Sequence, residues 1–179
     1  MTVDQIIEDV LNAEGGYVND ARDAGGETNW GITIATARAA GYSGAMRDLP
    51  RDFAKAIYRR RYVEAPGFGA IMGISPSIAA ELVDTGVNMG PAVASRFLQR
   101  VLNALNRNGR DWPDLAVDGI VGPGTIKALR AALSVRGDDG ERVIMRALNA
   151  LQGARYIELA EGRSKNEAFV FGWLDKRVA

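Results

Sequence analysis

Signals that begin helices recur along this sequence at short intervals. Pro50, Pro76 and Pro91 each open a stretch in which apolar residues return every three or four positions, and Ser75 is a suitable N-cap before the second of these. The pattern predicts helices over 2–13, 33–40, 50–62, 76–87, 91–106, 125–133, 138–161 and 164–177. We therefore expect a mainly α fold.

One Gly- and Asx-rich segment interrupts this pattern in the N-terminal half. Residues 17–33 lack helical periodicity, which predicts a loop with a short β-hairpin around 28–32. A second loop is predicted over 108–124. The chemistry of the first loop depends on which side chains the whole chain offers.

The chain contains no His and no Cys. This excludes a Ser-His-Asp triad, a Cys-His pair and a zinc site built on imidazole or thiolate. Carboxylate chemistry, or a metal site made only of carboxylates, remains for hydrolysis. No motif indicates a cofactor or metal, and we expect none.

The charge balance narrows the classes of partner that the chain is expected to bind. Lys plus Arg and Asp plus Glu each number 22, so the net charge of +0 gives no support for nucleic-acid or membrane-surface binding. No apolar stretch approaches the roughly 18 residues of a membrane span. Acidic residues within 1–15 argue against a secretory signal peptide. We expect synthesis in the cytoplasm, no nucleic-acid partner and no stable membrane insertion.

Glu14 falls on an apolar stripe. Helical spacing aligns it with Val3, Ile7, Val10 and Leu11, which must face a core. Partial burial and the negative end of the helix dipole would both raise the pKa of this carboxyl group, as a general acid requires. Alternatively, its side chain turns outward at the helix end or caps a backbone group.

Glycoside hydrolysis normally needs a second carboxylate. The loop offers Asp20, Asp23 and Glu27, of which Asp23 is preferred because nearby glycines would let a sugar approach closely. Asp before glycine is also a common turn former. The Thr28 hydroxyl could hold the attacking water, or Thr28 could simply begin the hairpin.

The motif EGGYVND at 14–20, followed by DAGGETNWGIT at 23–33, closely resembles the signature of the glycoside hydrolase family 108 N-acetylmuramidases. That family includes phage endolysins and bacterial proteins associated with holin-like secretion. The resemblance implies that Glu14 is the catalytic residue. Asp23 and Thr28 acquire roles only through a looser similarity to phage-type lysozymes, whose fold is mainly helical.

The resemblance implies a lysozyme-like helical fold with a short hairpin near the active site. It implies a lysozyme that hydrolyses the β-1,4 linkage between N-acetylmuramic acid and N-acetylglucosamine, acting as an endolysin released by a holin-type partner. Asp23 would orient water and give inversion, although retention stays open. The alternatives are a non-catalytic peptidoglycan-binding or secretion-helper protein and a lytic transglycosylase.

Two further motifs, DTGVNMGP at 84–91 and DGIVGPGTIKAL at 118–129, resemble the peptidoglycan-binding region that commonly follows this module. They predict a catalytic lobe over 1–88 and a peptidoglycan-binding-like lobe over 89–179, packed together in a monomer. Asp84 and Asn88 lie four residues apart on one helix face, where they could line a glycan cleft or join a buried hydrogen-bond network.

Aromatic residues are candidate sugar platforms, because a flat apolar ring can cover a pyranose. Tyr17 and Trp30 flank the loop and are the preferred candidates for substrate binding. Trp112 and Trp173 are expected to serve in packing.

Overall fold

The computed structural model describes residues 1–19 and 26–178, and the chain divides into two compact units, Met1–Ala65 and Pro66–Ala179. Helices dominate both units, and a short antiparallel hairpin lies in the first. The predicted mainly α fold class with a hairpin is therefore confirmed. In the part of the chain that is described, no helix is both long and apolar enough to cross a membrane.

The described part of the N-terminal unit contains three α-helices, with a small hairpin between the first and the second. The first helix begins with a capping box in which the Thr2 side chain accepts from the Gln5 backbone and the Gln5 side chain accepts from the Thr2 backbone. The elements are α1 Val3–Glu14, β1 Thr28–Asn29, β2 Ile32–Thr33, α2 Ile34–Ala39 and α3 Arg51–Arg59, with a 3-10 turn at Met46–Asp48 and a π-helical segment at Arg60–Glu64.

Helices α1 and α3 contact each other through an apolar face with charged pairs beside it. The buried residues of α1 are Val3, Ile6, Ile7 and Leu11. Glu8 of α1 pairs with Arg51 (2.6 Å) and Lys55 of α3, while Asp4 pairs with Arg59 at 2.6 Å. These pairs fix the rotation of α1 and therefore the direction in which its last residue points.

The hairpin turns over two residues with positive φ. Strand pairs Thr28–Thr33 and Asn29–Ile32 flank Trp30 (φ 54°) and Gly31 (φ 69°), the pattern of a type I′ turn. The Asn29 side-chain amide, which is buried, donates to the carbonyls of Met46 (2.8 Å) and Arg47 (3.3 Å). These bonds hold the hairpin against the 3-10 turn.

The C-terminal unit is mainly helical, and the loop predicted over 108–124 is observed between Leu105 and Pro123. Ser75 caps the second of its helices by accepting from the Ile78 backbone, and Pro76 occupies the first turn as predicted. Buried side chains of the longest helices form its core, among them Leu82, Leu98, Leu102, Ile144 and Leu148. The helices are α4 Phe68–Met72, α5 Pro76–Met89, α6 Pro91–Leu105, α7 Pro123–Arg136, α8 Asp138–Gly162 and α9 Glu167–Arg177, with a 3-10 turn at Ser164–Asn166.

The motif at 118–129 forms a turn that feeds α7. Gln99, which is buried, donates to Asp118 Oδ1 (2.7 Å) and accepts from the Gly119 backbone at 2.9 Å. The hydrogen bond from Gln99 and another from the Ile120 backbone lower the pKa of Asp118. The polar atoms of this turn are thus used to hold it against α6, a structural role.

Two differences from the predicted elements stand out. The helix predicted over 50–62 is regular only to Arg59 and continues as the π-helical segment, and Phe68–Met72 forms a short helix that was not predicted. The compact units divide after Ala65, inside the catalytic lobe predicted over 1–88. The functional boundary at 88 stays a prediction.

Candidate active site

Glu14 is the last residue of α1, and its side chain is exposed. The partial burial expected from the apolar stripe is therefore wrong. Gly15 turns the chain with φ 77°, and a Cβ on Gly15 or Gly16 would meet nothing within 4 Å. Glu14 therefore faces outward where the helix ends.

The hairpin turn passes directly beside Glu14. A Cβ placed on Gly31 would lie 2.8 Å from Oε2 of Glu14 and 2.8 Å from the Tyr58 hydroxyl. These distances are too short for a carbon atom, so the position requires glycine. Gly31, Glu14 and Tyr58 therefore meet at one point, which joins α1, the hairpin and α3.

Tyr58 is a site residue that the sequence reasoning missed. Its side chain is buried, and its hydroxyl donates to the Trp30 carbonyl at 3.3 Å. Burial, followed by the negative charge of Glu14, raises the pKa of Tyr58 to about 12. Tyr58 thus presents a neutral hydroxyl next to the carboxylate. Its helical spacing, four residues after the buried Ala54 and next to the buried Ile57 of α3, was the available signal.

Thr28 lies at the start of β1, while Asp23 lies outside the described residues. The Thr28 and Val18 backbones exchange two hydrogen bonds of 2.9 Å each. Thr28 therefore begins the hairpin, as one of its two predicted roles required. The water-holding role of Thr28 and the role of Asp23 as second carboxylate stay predictions.

Both predicted aromatic platforms lie beneath an arginine. The Arg47 guanidinium is 5.4 Å from the centre of the Tyr17 ring, and the Arg51 guanidinium is 4.9 Å from the Trp30 ring. The Trp30 indole N–H also donates to the Leu49 carbonyl at 3.1 Å. Each ring thus has one face occupied by a cation, and sugar binding by either ring stays a prediction.

Asp84 and Asn88 lie in the C-terminal unit, on α5. The Asp84 side chain pairs with Arg177 and accepts from Gln152 at 3.1 Å. Asn88 is exposed and donates to the Asp84 backbone carbonyl at 2.7 Å. Asp84 therefore takes part in a largely buried network, the alternative to a cleft wall. A contact of either residue with glycan stays a prediction.

Three polar atoms around this network lack hydrogen-bond partners in the described structure. They are Oε1 of Glu81, Oε1 of Gln152 and the Tyr156 hydroxyl. Burial, reinforced by Asp84, raises the pKa of Glu81 to about 7. Burial raises the pKa of Tyr156 to about 12, with a further contribution from Asp84. Tyr156 is therefore neutral at neutral pH, and Glu81 is protonated there far more often than an ordinary glutamate.

Within the described residues, no group of three acidic side chains is arranged to hold a metal ion. The N-terminal unit instead offers an exposed carboxylate beside a glycine turn, with two arginine-backed aromatic rings in the same unit. This arrangement suits the binding of a polar polymer and the transfer of a proton to it. The family comparisons point in the same direction.

Residues 7–90 match the family model described as Glycosyl hydrolase 108, and residues 93–178 match the one described as Predicted Peptidoglycan domain. The N-terminal part of the chain is thus similar to glycosyl hydrolase family 108. Its family 108 segment contains Glu14, the hairpin and Tyr58. The two segments together make it a peptidoglycan-active, lysozyme-like protein.

No curated protein matches this chain. Ten chains of solved structures do. One is described as the structure of Brucella abortus SagA, with a TM-score of 0.60 and 25% sequence identity over 97% of this chain and 87% of that one. The similarity extends over both compact units.

Proposed function

We propose that this protein is an N-acetylmuramidase that hydrolyses the β-1,4 linkage between N-acetylmuramic acid and N-acetylglucosamine. The observation that supports this best is the position of Glu14. It stands exposed at the end of a fixed helix, against a turn that only glycine can make. No Lys or Arg among the described residues forms an ion pair with it.

In this proposal Glu14 protonates the oxygen that leaves as the glycosidic bond breaks, while water attacks the sugar carbon. Gly31 leaves room for the Glu14 carboxylate and the Tyr58 hydroxyl beside the turn. Tyr58, a neutral hydroxyl donor, holds the Trp30 carbonyl and thereby the turn beside the acid.

The attacking water needs a base or an orienting group on the opposite face of the sugar. Asp23, assisted by Thr28, is the proposed group, and it would give a product with inverted anomeric configuration. A carboxylate acting as nucleophile would give retention instead. NMR of the first product formed distinguishes these outcomes, and Asp23→Asn should abolish turnover in either case.

Glu14→Gln tests the assignment directly. We expect the variant to clear purified cell walls at a rate lower than that of the parent by a factor of about 100 or more. It should still bind cell walls in a pull-down assay. Asp9→Asn, which neutralises another exposed carboxylate of α1, is the matched control and should clear walls normally. Equal clearance by Glu14→Gln and the parent would show that Glu14 is not the acid.

Mass spectrometry of the released muropeptides separates hydrolysis from its rivals. Hydrolysis adds water across the broken bond and leaves a reducing muramic acid end. A lytic transglycosylase would leave an anhydro end, whereas a non-catalytic wall-binding protein would release nothing.

We further propose that the protein acts as an endolysin. It would be made in the bacterial cytoplasm and reach the wall through a holin-type pore, in line with the family resemblance. Expression with and without a holin should show lysis only in its presence. Lysis without a holin would contradict the export route but leave the hydrolytic activity untouched.

A further inference from the structure

Two arginines of the N-terminal unit cover aromatic rings, and they differ in how their charge is balanced. Arg51, over Trp30, also donates to Glu8 Oε2 (2.6 Å) and to Asn12 Oδ1 (2.7 Å). Arg47, over Tyr17, has no carboxylate partner among the described residues. The Arg51 guanidinium is therefore neutralised within the fold, whereas Arg47 is exposed and its guanidinium has no hydrogen-bond or ion-pair partner among the described residues.

The backbone at Arg47 is held firmly. The Asn29 amide of the hairpin donates to the carbonyls of Met46 and Arg47, and Met46 is buried. Tyr17 is tied to the same hairpin, since its neighbour Val18 exchanges two backbone hydrogen bonds with Thr28. The backbone segments that carry the cation and the ring beneath it are thus both attached to the strand pair whose turn lies beside Glu14.

A guanidinium fork held on an aromatic face is suited to a carboxylate, because two parallel N–H donors match the two oxygens. Stacking on Tyr17 restricts the side chain in advance and lowers the entropy lost on binding. Peptidoglycan differs from uncharged β-1,4 glycans in carrying carboxylates, either on the lactyl group of muramic acid or on the stem peptide.

We propose that Arg47, supported by Tyr17, binds a carboxylate of the peptidoglycan strand and makes the site selective for anionic over uncharged glycan. The selectivity rests on the proposed function, since it concerns the substrate of the same site. Arg47 acts in binding and specificity. Proton transfer remains with Glu14.

Four substrates test this selectivity. Peptide-bearing strands and strands freed of peptide by an amidase are each prepared with free carboxylates and with the carboxylates converted to neutral methylamides. The measured quantity is the ratio of kcat/KM for the carboxylate form to that for the amide form. A preference in the peptide-free pair assigns the lactyl carboxylate. A preference confined to the peptide-bearing pair assigns the stem peptide.

We expect the parent protein to favour carboxylate strands about tenfold, a typical value for one charge-assisted contact. Arg47→Gln should bring the ratio to about one, and Arg47→Lys should restore part of it. Arg38→Gln is the matched control, because Arg38 also covers a tyrosine (Tyr42, 5.9 Å) but donates to the carbonyls of Tyr42 and Gly44. Its ratio should equal that of the parent.

A parent ratio near one in both pairs, or a ratio that Arg47→Gln leaves unchanged, would overturn the proposal. If the parent cleaves no strand, the hydrolytic function fails, and the same four substrates are compared by the fraction retained in a pull-down. A carboxylate preference in retention that depends on Arg47 would sustain the binding site without catalysis. Equal retention of all four would overturn the site as well.

Discussion

Gly31 and Glu14 are so close that the glycine cannot be replaced without moving the carboxylate. A Cβ at position 31 would lie 2.8 Å from Glu14 Oε2 and 2.9 Å from Glu14 Cγ, and the φ of 69° already disfavours any side chain. The glycine of this turn therefore determines where the predicted acid stands.

Gly31→Ala should lower both stability and wall clearance. Strain at positive φ together with displacement of Glu14 should cost at least about 1 kcal/mol of unfolding free energy. Thermal melting and turbidity assays measure the two effects. Gly16→Ala is the control, since a Cβ there would meet nothing within 4 Å. Full activity of Gly31→Ala would contradict the close approach.

Tyr58 should titrate well above an ordinary tyrosine. Because its pKa of about 12 in the fold exceeds the ordinary value of 10, its contribution to stability is complete below pH 10 and is lost as the pH rises from 10 to 12. In a pH titration of the folded protein, the tyrosinate absorbance should show late steps, near pH 12, from Tyr58 and Tyr156. Tyr58→Phe should remove one of them. An unchanged late absorbance in that variant would refute the assignment.

Glu81 should make stability fall between mildly acidic and neutral pH. Its pKa rises from 4.5 in the unfolded chain to about 7 in the fold, so its contribution is complete below pH 4.5 and is lost as the pH rises towards 7. When the pH is raised from 4.5 to 8, the unfolding free energy of Glu81→Gln should gain on the order of 2 kcal/mol relative to that of the parent. Denaturant unfolding at both pH values measures this gain. Glu161→Gln, an exposed change on α8, should show none.

Substitutions at Arg177, Asn88 and Asp84 distinguish a structural role of Asp84 from a role in substrate binding. Arg177→Met leaves the Asp84 carboxylate without its cation and should cost about 1–3 kcal/mol, between the values for exposed and buried pairs. Asn88→Ala should have the same melting temperature as the parent because the Asn88 side chain is exposed. Asp84→Asn could instead keep the melting temperature of the parent and lose binding to glycan strands. That result would favour the predicted substrate contact of Asp84 over its role in the hydrogen-bond network.

The helix beginnings could be predicted because their causes are local. Ser75 with Pro76 needs nothing beyond its own turn to start α5, and the same holds for Pro91 and α6. The short helix at Phe68–Met72 was missed because five residues carry too little periodicity to be recognised. Phe68 and Ile71 of this helix are buried. The helix therefore depends on tertiary packing, which cannot be inferred from local sequence periodicity.

The candidate site was predictable in its motif but not in its surroundings. Glu14 could be singled out, yet its exposure depends on where α1 ends relative to its neighbours. Tyr58 and Arg47 lie 44 and 33 positions further along the chain than Glu14, and no spacing rule links residues so far apart. Asn29, predicted only as part of a hairpin, holds the turn that carries Arg47.

The paired backbones of Val18 and Thr28 bring the ends of an intervening stretch together within 2.9 Å hydrogen bonds. This pairing anchors both ends of the stretch that contains Asp23, the proposed second catalytic group, to the hairpin whose turn lies beside Glu14. Any exchange of that stretch would therefore alter the proposed catalytic pair together with the substrate contacts.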